Sequence, residues 1–243
     1  MAVDYSRRAA EYDQARADET LDRDYWLRGL IDLGDLKSGE RILDIGAGTG
    51  RFAKLLAGTN RVVAFDSSRE MLEAGRGKGP FERMCGNALR LPFRDGTFDA
   101  TMFVMVVHQL PSLAVALREA ARVSAKTVIA TTDMATRDLG IMEEAFPSLL
   151  QIDRSRFPTI EGITQSLLAE GFEKVRVEQR PYRRLLTTEQ QLDRVKRKYL
   201  STFDLLPPGE YDRGVRFLEK ELPKRFPDGF EVTASFTFVG ATK

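Results

Sequence analysis

The sequence predicts an α/β fold, a doubly wound and mostly parallel sheet of seven strands. Short β-rich runs alternate with helical patterns through the middle of the chain, which is typical of βαβ units. Most of these runs are apolar throughout, as in strands buried on both faces of a parallel sheet. The chain has 243 residues, 42% of them apolar, so it is long enough to bury one large core.

Five strands and three helices account for the first half of this pattern. The predicted strands are Arg41–Ile45, Arg61–Phe65, Phe81–Cys85, Ala100–Val106 and Thr127–Thr131. The predicted helices between them are Arg51–Ala57, Arg69–Gly75 and Leu113–Val123. The segment between the third and fourth strands is short, and we expect mostly loop there.

The pattern changes after Thr132. A helix is predicted over Gly162–Glu170, followed by strands at Lys174–Glu178 and Thr233–Val239 that we expect to pair as an antiparallel edge. The long stretch between these two strands needs structure of its own, because structureless loops beyond about 15 residues are uncommon. Apolar residues at helical spacing on both sides of Pro207-Pro208-Gly209 predict a helical hairpin over residues 187–227 that caps the substrate. Residues 1–243 are thus predicted to form one domain, with residues 1–30 as an amino-terminal helical cap.

Charge and composition limit the class of partner. Lys and Arg number 37 against 36 Asp and Glu, which is not the basic balance of a nucleic-acid-binding domain. One cysteine and one histidine exclude a Cys/His zinc centre and an internal disulfide. The sequence offers no apolar targeting segment and no run of about 18 uncharged apolar residues. We expect a cytoplasmic protein, monomer or homodimer, with a small-molecule substrate and no membrane partner.

The most informative stretch runs from Arg41 to Gly50 and joins the first strand to the first helix. Its glycines, Gly46, Gly48 and Gly50, allow a tight turn and close approach of a ligand, and packing alone gives no reason for three of them. A dinucleotide fingerprint needs Gly or Ala at position 51, which is Arg. Asp44 would repel a pyrophosphate but suits an amine or a sulfonium, which favours S-adenosylmethionine as the cofactor.

Asp66 ends the second strand, about 20 residues after the glycine loop. A carboxylate at that place accepts hydrogen bonds from both hydroxyls of a ribose in other doubly wound nucleoside sites. An acid at a strand end is also a common turn or cap residue, so the prediction depends on its combination with the glycine loop.

The order of these motifs resembles the class I S-adenosylmethionine-dependent methyltransferases, in particular the group that includes the ubiquinone/menaquinone C-methyltransferases. The resemblance covers about half of the chain. It rests on Leu43-Asp-Ile-Gly-Ala-Gly-Thr-Gly50, Phe65-Asp-Ser-Ser-Arg-Glu-Met-Leu72, the stretch from Gly86 to Asp99, and Val107-His-Gln-Leu-Pro111. It implies S-adenosylmethionine as the cofactor and the following cofactor-binding residues: Tyr12, Arg16, Asp44, Gly46, Ala47, Gly48, Gly50, Asp66, Ser67, Met71, Asn87, Ala88 and Val104.

The sequence departs from the family at Asn87, where the family usually has an Asp whose carboxylate accepts a hydrogen bond from the adenine amino group. The Asn87 amide oxygen can still accept that hydrogen bond, without the assistance of a charge. Binding is therefore expected to survive in weakened form.

His108 follows the fourth strand and is the single histidine of the chain. It is the one side chain with an ordinary pKa near neutrality, which makes it the candidate general base. The alternative is that His108 has no role in proton transfer, since the family often carries a histidine at this place without one.

The predicted reaction is in-line methyl transfer to a small molecule without a metal. The metal-dependent branch of the family needs several carboxylates at the ends of the fourth and fifth strands, and here only Asp133 is well placed. Two alternatives remain open at this point: an RNA methyltransferase, and a non-catalytic module that binds S-adenosylmethionine. Substrate identity is expected to depend on the amino-terminal segment, residues 134–157 and the helical insertion. Aromatic residues there, Tyr182, Tyr199, Phe203 and Tyr211, line a pocket or form ordinary core. The basic residues between Arg180 and Lys198 are interpreted as a solvated face balanced by nearby acids, and binding of an acidic small molecule is the alternative.

Overall fold

A computed structural model of the chain describes residues 22–243. Its sheet has seven strands: β1 (Arg41–Ile45), β2 (Arg61–Asp66), β3 (Glu82–Cys85), β4 (Phe98–Val104), β5 (Ser124–Thr131), β6 (Lys174–Leu186) and β7 (Phe230–Thr242). The strand order is β3-β2-β1-β4-β5-β7-β6. The first five strands run parallel, and β7 pairs antiparallel with both β5 and β6. The predicted fold class and the antiparallel last strand are confirmed.

Nine α-helices accompany the sheet within the described residues. They are α1 (Arg23–Gly34), α2 (Ala53–Leu56), α3 (Arg69–Ala74), α4 (Leu113–Val123), α5 (Ile141–Ala145), α6 (Leu149–Arg156), α7 (Ile160–Ala169), α8 (Thr188–Lys196) and α9 (Glu210–Arg225). Two 3₁₀ helices, Val107–Gln109 and Ser201–Leu205, lie between them. None of these helices is long and apolar enough to span a membrane.

Two predicted boundaries near the site are wrong, for local reasons. The helix predicted over Arg51–Ala57 is a single short turn, α2, and the strand predicted to reach Val106 ends at Val104. Met105 has a φ of 54°, which an extended strand cannot contain. The chain therefore turns out of the sheet directly before His108.

The last two strands are much longer than predicted. They pair over 13 residues, from Lys174↔Thr242 to Leu186↔Phe230, and so extend beyond the end of β5. Pro181 lies inside this ladder, which is allowed because β6 is an edge strand. The extension forms a two-stranded wall beside the carboxyl end of the sheet.

Two apolar layers enclose the sheet. Helix α1 lies on one face, where Trp26 is 1% exposed and packs against Phe52 and Phe236 with ring centroids 5.0 and 4.6 Å apart. Helices α4 and α7 lie on the other face, with Leu117 and Leu167 fully buried. Both faces are thus covered, as the apolar strands predict.

A third apolar cluster lies outside these layers and unites segments far apart in the chain. It joins α5 and the start of α6 with α8, α9 and the Ser201–Leu205 helix around Phe146, Phe203 and Leu218. The side chain of buried Glu210 fixes the junction, because its carboxylate accepts from the Ser148 backbone N–H at 2.9 Å and from its hydroxyl at 2.8 Å. Residues 187–227 contain α8, the Ser201–Leu205 helix and α9, and the proposal that they form a cap over a substrate stays a prediction.

Candidate active site

The glycine loop turns sharply between β1 and α2. Gly46, Gly48 and Gly50 have φ angles of 75°, 57° and 77°, a region that favours glycine. The backbone N–H groups of Gly46 and Ala47 both donate to the Phe65 carbonyl, at 2.8 and 3.1 Å. The loop is therefore fastened to the carboxyl end of β2, where the second predicted binding residue lies.

Packing explains two of the three glycines, contrary to the expectation from sequence. A Cβ on Gly46 would lie 2.2 Å from Val106 Cγ2, and one on Gly50 would lie 2.3 Å from Phe81 Cζ. Both distances are far below a van der Waals contact. The protein itself occupies the space beside these two glycines.

Gly48 has open space apart from one flexible atom, the Met71 Cε, at 3.1 Å from where its Cβ would lie. The Gly48 N–H donates to Asp66 Oδ2 at 2.7 Å, and the Ser68 N–H donates to Asp66 Oδ1 at 2.8 Å. The Ser67 backbone N–H is a third donor to this carboxylate, which has about four lone-pair sites, so Asp66 can still receive a ribose hydroxyl. Burial raises the pKa of Asp66, and its backbone donors oppose that rise.

Asp44 is buried in β1, with 1% of its surface exposed. Burial and the nearby Asp66 raise its pKa to about 8, while the Ala53 backbone N–H favours the ionised form. Its Oδ2 atom has no hydrogen-bond partner within the described structure. A pKa of about 8 means that Asp44 is mostly protonated at neutral pH. Its predicted role toward a cationic ligand therefore requires that the bound ligand lower this pKa, so that the carboxyl ionises.

The predicted adenine residues lie in the loop after β3. The exposed Asn87 side chain accepts from the Leu89 backbone N–H at 2.9 Å, which fixes a local turn. Ala88 is partly buried against the α4 face of the sheet. Gly86 packs over Phe65, since a Cβ there would lie 2.5 Å from the ring. Asn87 thus retains one lone pair of its amide oxygen for a ligand.

His108 lies in the 3₁₀ helix that follows β4, one turn beyond buried Val104. Its ring stacks on Phe157, with centroids 4.0 Å apart and planes 8° apart. Gln109 Nε2 lies 3.3 Å from His108 Nε2. The imidazole is therefore held in place at the carboxyl edge of the sheet, beside the segment that leads from α6 to α7.

Of the four remaining predicted cofactor residues, two lie within residues 22–243 and two lie outside them. Ser67 is exposed next to Asp66, and Met71 is 3% exposed beneath Gly48. Tyr12 and Arg16 lie outside the described residues. The predicted residues that are described, apart from the two adenine residues, gather at the carboxyl ends of β1, β2 and β4.

Comparison with known proteins finds similarity to methyltransferases in the part of the chain that holds the candidate site. A family model described as a methyltransferase domain matches residues 43–129, which contain the glycine loop, Asp66, Asn87 and His108. A demethylmenaquinone methyltransferase of Paenarthrobacter aurescens is 36% identical over 101 residues, 41% of this chain and 40% of that protein. Residues 43–129 thus match a methyltransferase domain, in agreement with the resemblance to the class I S-adenosylmethionine-dependent methyltransferases. The alignment nevertheless covers less than half of that relative.

Solved methyltransferase structures share the fold over most of this chain. A putative methyltransferase from an antibiotic biosynthesis pathway of Anabaena variabilis has a TM-score of 0.75 at 23% identity, covering 90% of this chain and 97% of its own. The phosphoethanolamine N-methyltransferase 2 of Haemonchus contortus, solved with S-adenosylmethionine, has a TM-score of 0.63 at 18% identity, covering 98% and 57%. At these identities the comparison shows the shared fold.

Four basic residues in the stretch between Arg180 and Lys198 pair with acids. Arg180 pairs with Glu178 and Asp32, Arg197 with Asp193, Lys196 with Glu219 and Lys198 with Asp204. This pairing agrees with the interpretation as a face balanced by nearby acids, but Arg194 is buried and donates to Gln191 Oε1 at 2.9 Å.

Of the aromatic candidates, Phe203 is buried in the outer cluster, and Tyr199 and Tyr211 pack against it. Tyr182 instead lines a cavity near the end of β5. That cavity and the charged residues Arg137, Asp153 and Arg156 beside it are absent from the sequence prediction. The spacing of three residues between Asp153 and Arg156 could have predicted their ion pair on one face of a helix.

Proposed function

We propose that this protein transfers a methyl group from S-adenosylmethionine to a small-molecule acceptor. The observation that carries the proposal is the pairing of the Gly48 N–H with Asp66 Oδ2 at 2.7 Å, beside a loop position with no Cβ. This pairing holds a carboxylate with free lone pairs against an open turn, which suits the ribose of a nucleoside. The relative solved with S-adenosylmethionine supports the same cofactor.

The chain's own residues would divide the work by position. Asp66 would hold the ribose, the loop from Gly46 to Gly50 would lie along the amino-acid part, and Asn87 would accept from the adenine. When bound, the cofactor supplies a methyl group on a positively charged sulfur, so alignment of the acceptor and exclusion of water remain for the protein. The carboxyl ends of β4 and β5 would receive the acceptor, with His108 as the candidate base for its proton.

Metal independence, in-line transfer and the cytoplasmic location are parts of this proposal. A rate that disappears with a chelator and returns with magnesium would contradict the first. Demethylmenaquinone methyltransferase, the relative named above, supports a small organic acceptor.

Calorimetric titration with S-adenosylmethionine and S-adenosylhomocysteine, with NAD as the control ligand, tests the cofactor assignment. Micromolar binding of the first two and none of NAD is expected. If neither binds, the cofactor assignment is wrong.

Cys85 offers a second test of where the cofactor binds. It is the single cysteine, it is exposed, and it pairs with Asp66 across β2 and β3. S-adenosylhomocysteine at saturation is expected to slow its alkylation by iodoacetamide, while NAD leaves the rate unchanged. Equal rates with and without S-adenosylhomocysteine, in protein shown by calorimetry to bind it, would place the ligand elsewhere.

A further inference from the structure

A buried group of charges lies at the carboxyl end of β5, outside the cofactor residues. The Asp153 and Arg156 side chains are only 5% and 6% exposed, and their charged groups lie 3.7 Å apart. Buried Thr202 joins them, because its hydroxyl donates to Asp153 Oδ1 at 2.5 Å and accepts from Arg156 Nη1 at 3.1 Å. This cluster ties α6 to the helical insertion.

Arg137 brings a second positive charge to the same place. It interacts electrostatically with Asp153, and its Nη1 lies 3.5 Å from the hydroxyl of Thr132, the residue after β5. Within residues 22–243 no carboxylate comes within 4 Å of the Arg137 guanidinium. Two guanidinium groups thus share one carboxylate, and burial raises the pKa of that carboxylate, Asp153.

The two arginines are also short of hydrogen-bond acceptors. The Nε atoms of Arg137 and Arg156 are both buried without a partner in the described structure. A guanidinium has five N–H donors, and a buried positive charge that lacks an opposite charge is costly. The cluster is therefore short of one negatively charged acceptor.

A cavity of about 170 Å³ adjoins this cluster, and Thr132 and Arg137 form part of its wall. The β6–β7 extension closes the other side through Tyr182 and Ser235. Two carboxylates, Asp133 and Asp138, also line it, but each accepts from a backbone N–H of its own turn, at Ala135 and Gly140. Arg183 adds a further positive charge at its exposed rim.

The position of the cluster connects it with the acceptor side of the site. Phe157 follows Arg156 directly and stacks on His108. Strand β5 lies two places from β1 in the sheet, so Thr132 is about 10 Å from the glycine loop at the usual strand spacing. A small molecule can span that distance.

We propose that the methyl acceptor carries an oxyanion, a carboxylate or a phosphate, which is bound by Arg137 with the support of Arg156. Guanidinium groups bind both kinds of oxyanion with two parallel hydrogen bonds, which gives orientation as well as affinity. That the ligand is the methyl acceptor rests on the proposed function. That the ligand carries an oxyanion rests on the cluster of Arg137, Asp153 and Arg156.

The test measures binding of small oxyanions to the full chain saturated with S-adenosylhomocysteine. Benzoate and phenyl phosphate are the probes, and benzamide is the neutral control. Calorimetry is expected to show binding of at least one oxyanion and at least tenfold weaker binding of benzamide. The two oxyanions, compared with each other, distinguish a carboxylate site from a phosphate site.

Variants locate the site. Arg137→Gln is expected to weaken oxyanion binding about tenfold or more. Arg137→Lys, which keeps the charge and loses the two parallel hydrogen bonds, should give an intermediate loss. Arg154→Gln changes an exposed arginine of the same helix, α6, and should leave binding unchanged. Thermal unfolding of each variant checks that it is folded.

The outcomes separate the two proposals. If the wild type binds S-adenosylhomocysteine but neither oxyanion, or if Arg137→Gln binds oxyanions as well as the wild type does, this inference is wrong and the proposed function stands. If S-adenosylhomocysteine does not bind, the proposed function is wrong. Titration of the oxyanions alone then still decides whether Arg137 binds them.

Discussion

The backbone N–H of Gly48 donates to the carboxylate of Asp66 at 2.7 Å, which couples the glycine loop to the end of β2. The other oxygen of that carboxylate accepts from Ser68, the N-cap of α3. One side chain thus fixes the loop, the strand end and the helix start. The ribose residue and the glycine loop form one unit, so a change in either should affect both.

Asp66→Asn is expected to weaken binding of S-adenosylhomocysteine tenfold or more. The amide keeps one oxygen, so its NH₂ group must face at least one of the backbone donors of Asp66, and hydrogen bonds to charged groups contribute about 1.5–3 kcal/mol each. Calorimetry measures the change. Glu73→Gln, which changes an exposed acid of the neighbouring helix α3 in the same way, is the matched control. Unchanged affinity in Asp66→Asn would remove Asp66 from the binding site.

Gly46→Ala is expected to destabilise the fold by about 3 kcal/mol or more, because a left-handed backbone and a clash with Val106 combine. Gly39 provides the control, since it has a φ of 87° and open space around its missing Cβ. Gly39→Ala should cost about 1 kcal/mol from backbone strain alone. Urea unfolding compares the two.

A double variant separates the clash from the strain. Gly46→Ala combined with Val106→Ala should recover the part of the loss that comes from the clash. If Gly46→Ala costs no more than Gly39→Ala, packing against Val106 is not what requires a glycine at position 46.

The buried carboxyl of Asp44 predicts a pH-dependent stability. Its pKa rises from 3.8 unfolded to about 8 folded, so the folded protein binds more protons than the unfolded chain between those values. The contribution of Asp44 to the free energy of unfolding is therefore full below about pH 4 and is lost as pH rises toward 8. Asp44→Asn, which resembles the protonated acid, should be more stable than the wild type at pH 8.

Thermal unfolding from pH 5 to pH 8 measures this effect. The melting temperature of the wild type should fall relative to that of Asp44→Asn as pH rises. Parallel curves for the two proteins would show that Asp44 is ionised in the folded state without cofactor.

His108→Ala is expected to reduce the transfer rate about a hundredfold while leaving cofactor affinity unchanged, if the imidazole is the general base. Phe157→Leu, which removes the stacked ring but keeps the imidazole, should cost less than tenfold. An unchanged rate in His108→Ala would remove the residue from proton transfer.

The single histidine permits a direct measurement before any acceptor is known. The chain gives one imidazole signal by proton NMR, and S-adenosylhomocysteine should shift it because His108 lies at the same sheet edge as the glycine loop. A signal that does not respond to a ligand bound according to calorimetry would place His108 outside the site.

Local patterns determined the strand and helix order, the glycine loop and the place of Asp66, because apolar runs and turn residues act over a few neighbouring positions. The packing that requires glycine at positions 46 and 50 depends on tertiary structure, because Val106 and Phe81 contact them from distant segments. The length of β6 and β7 was likewise decided by their pairing, 13 residues of ladder that neither strand's own pattern predicts.

The charged side chains show most clearly what the sequence predicts and what only the tertiary structure determines. The sequence by itself established that Asp44 stands beside the loop and that Arg137, Asp153 and Arg156 exist. Only the fold buries Asp44 near Asp66 and places Asp153 beside both Arg137 and Thr202, the latter 49 positions along the chain. Burial and proximity determine whether a side chain is charged and what it lacks, and both depend on contacts between residues far apart in the sequence.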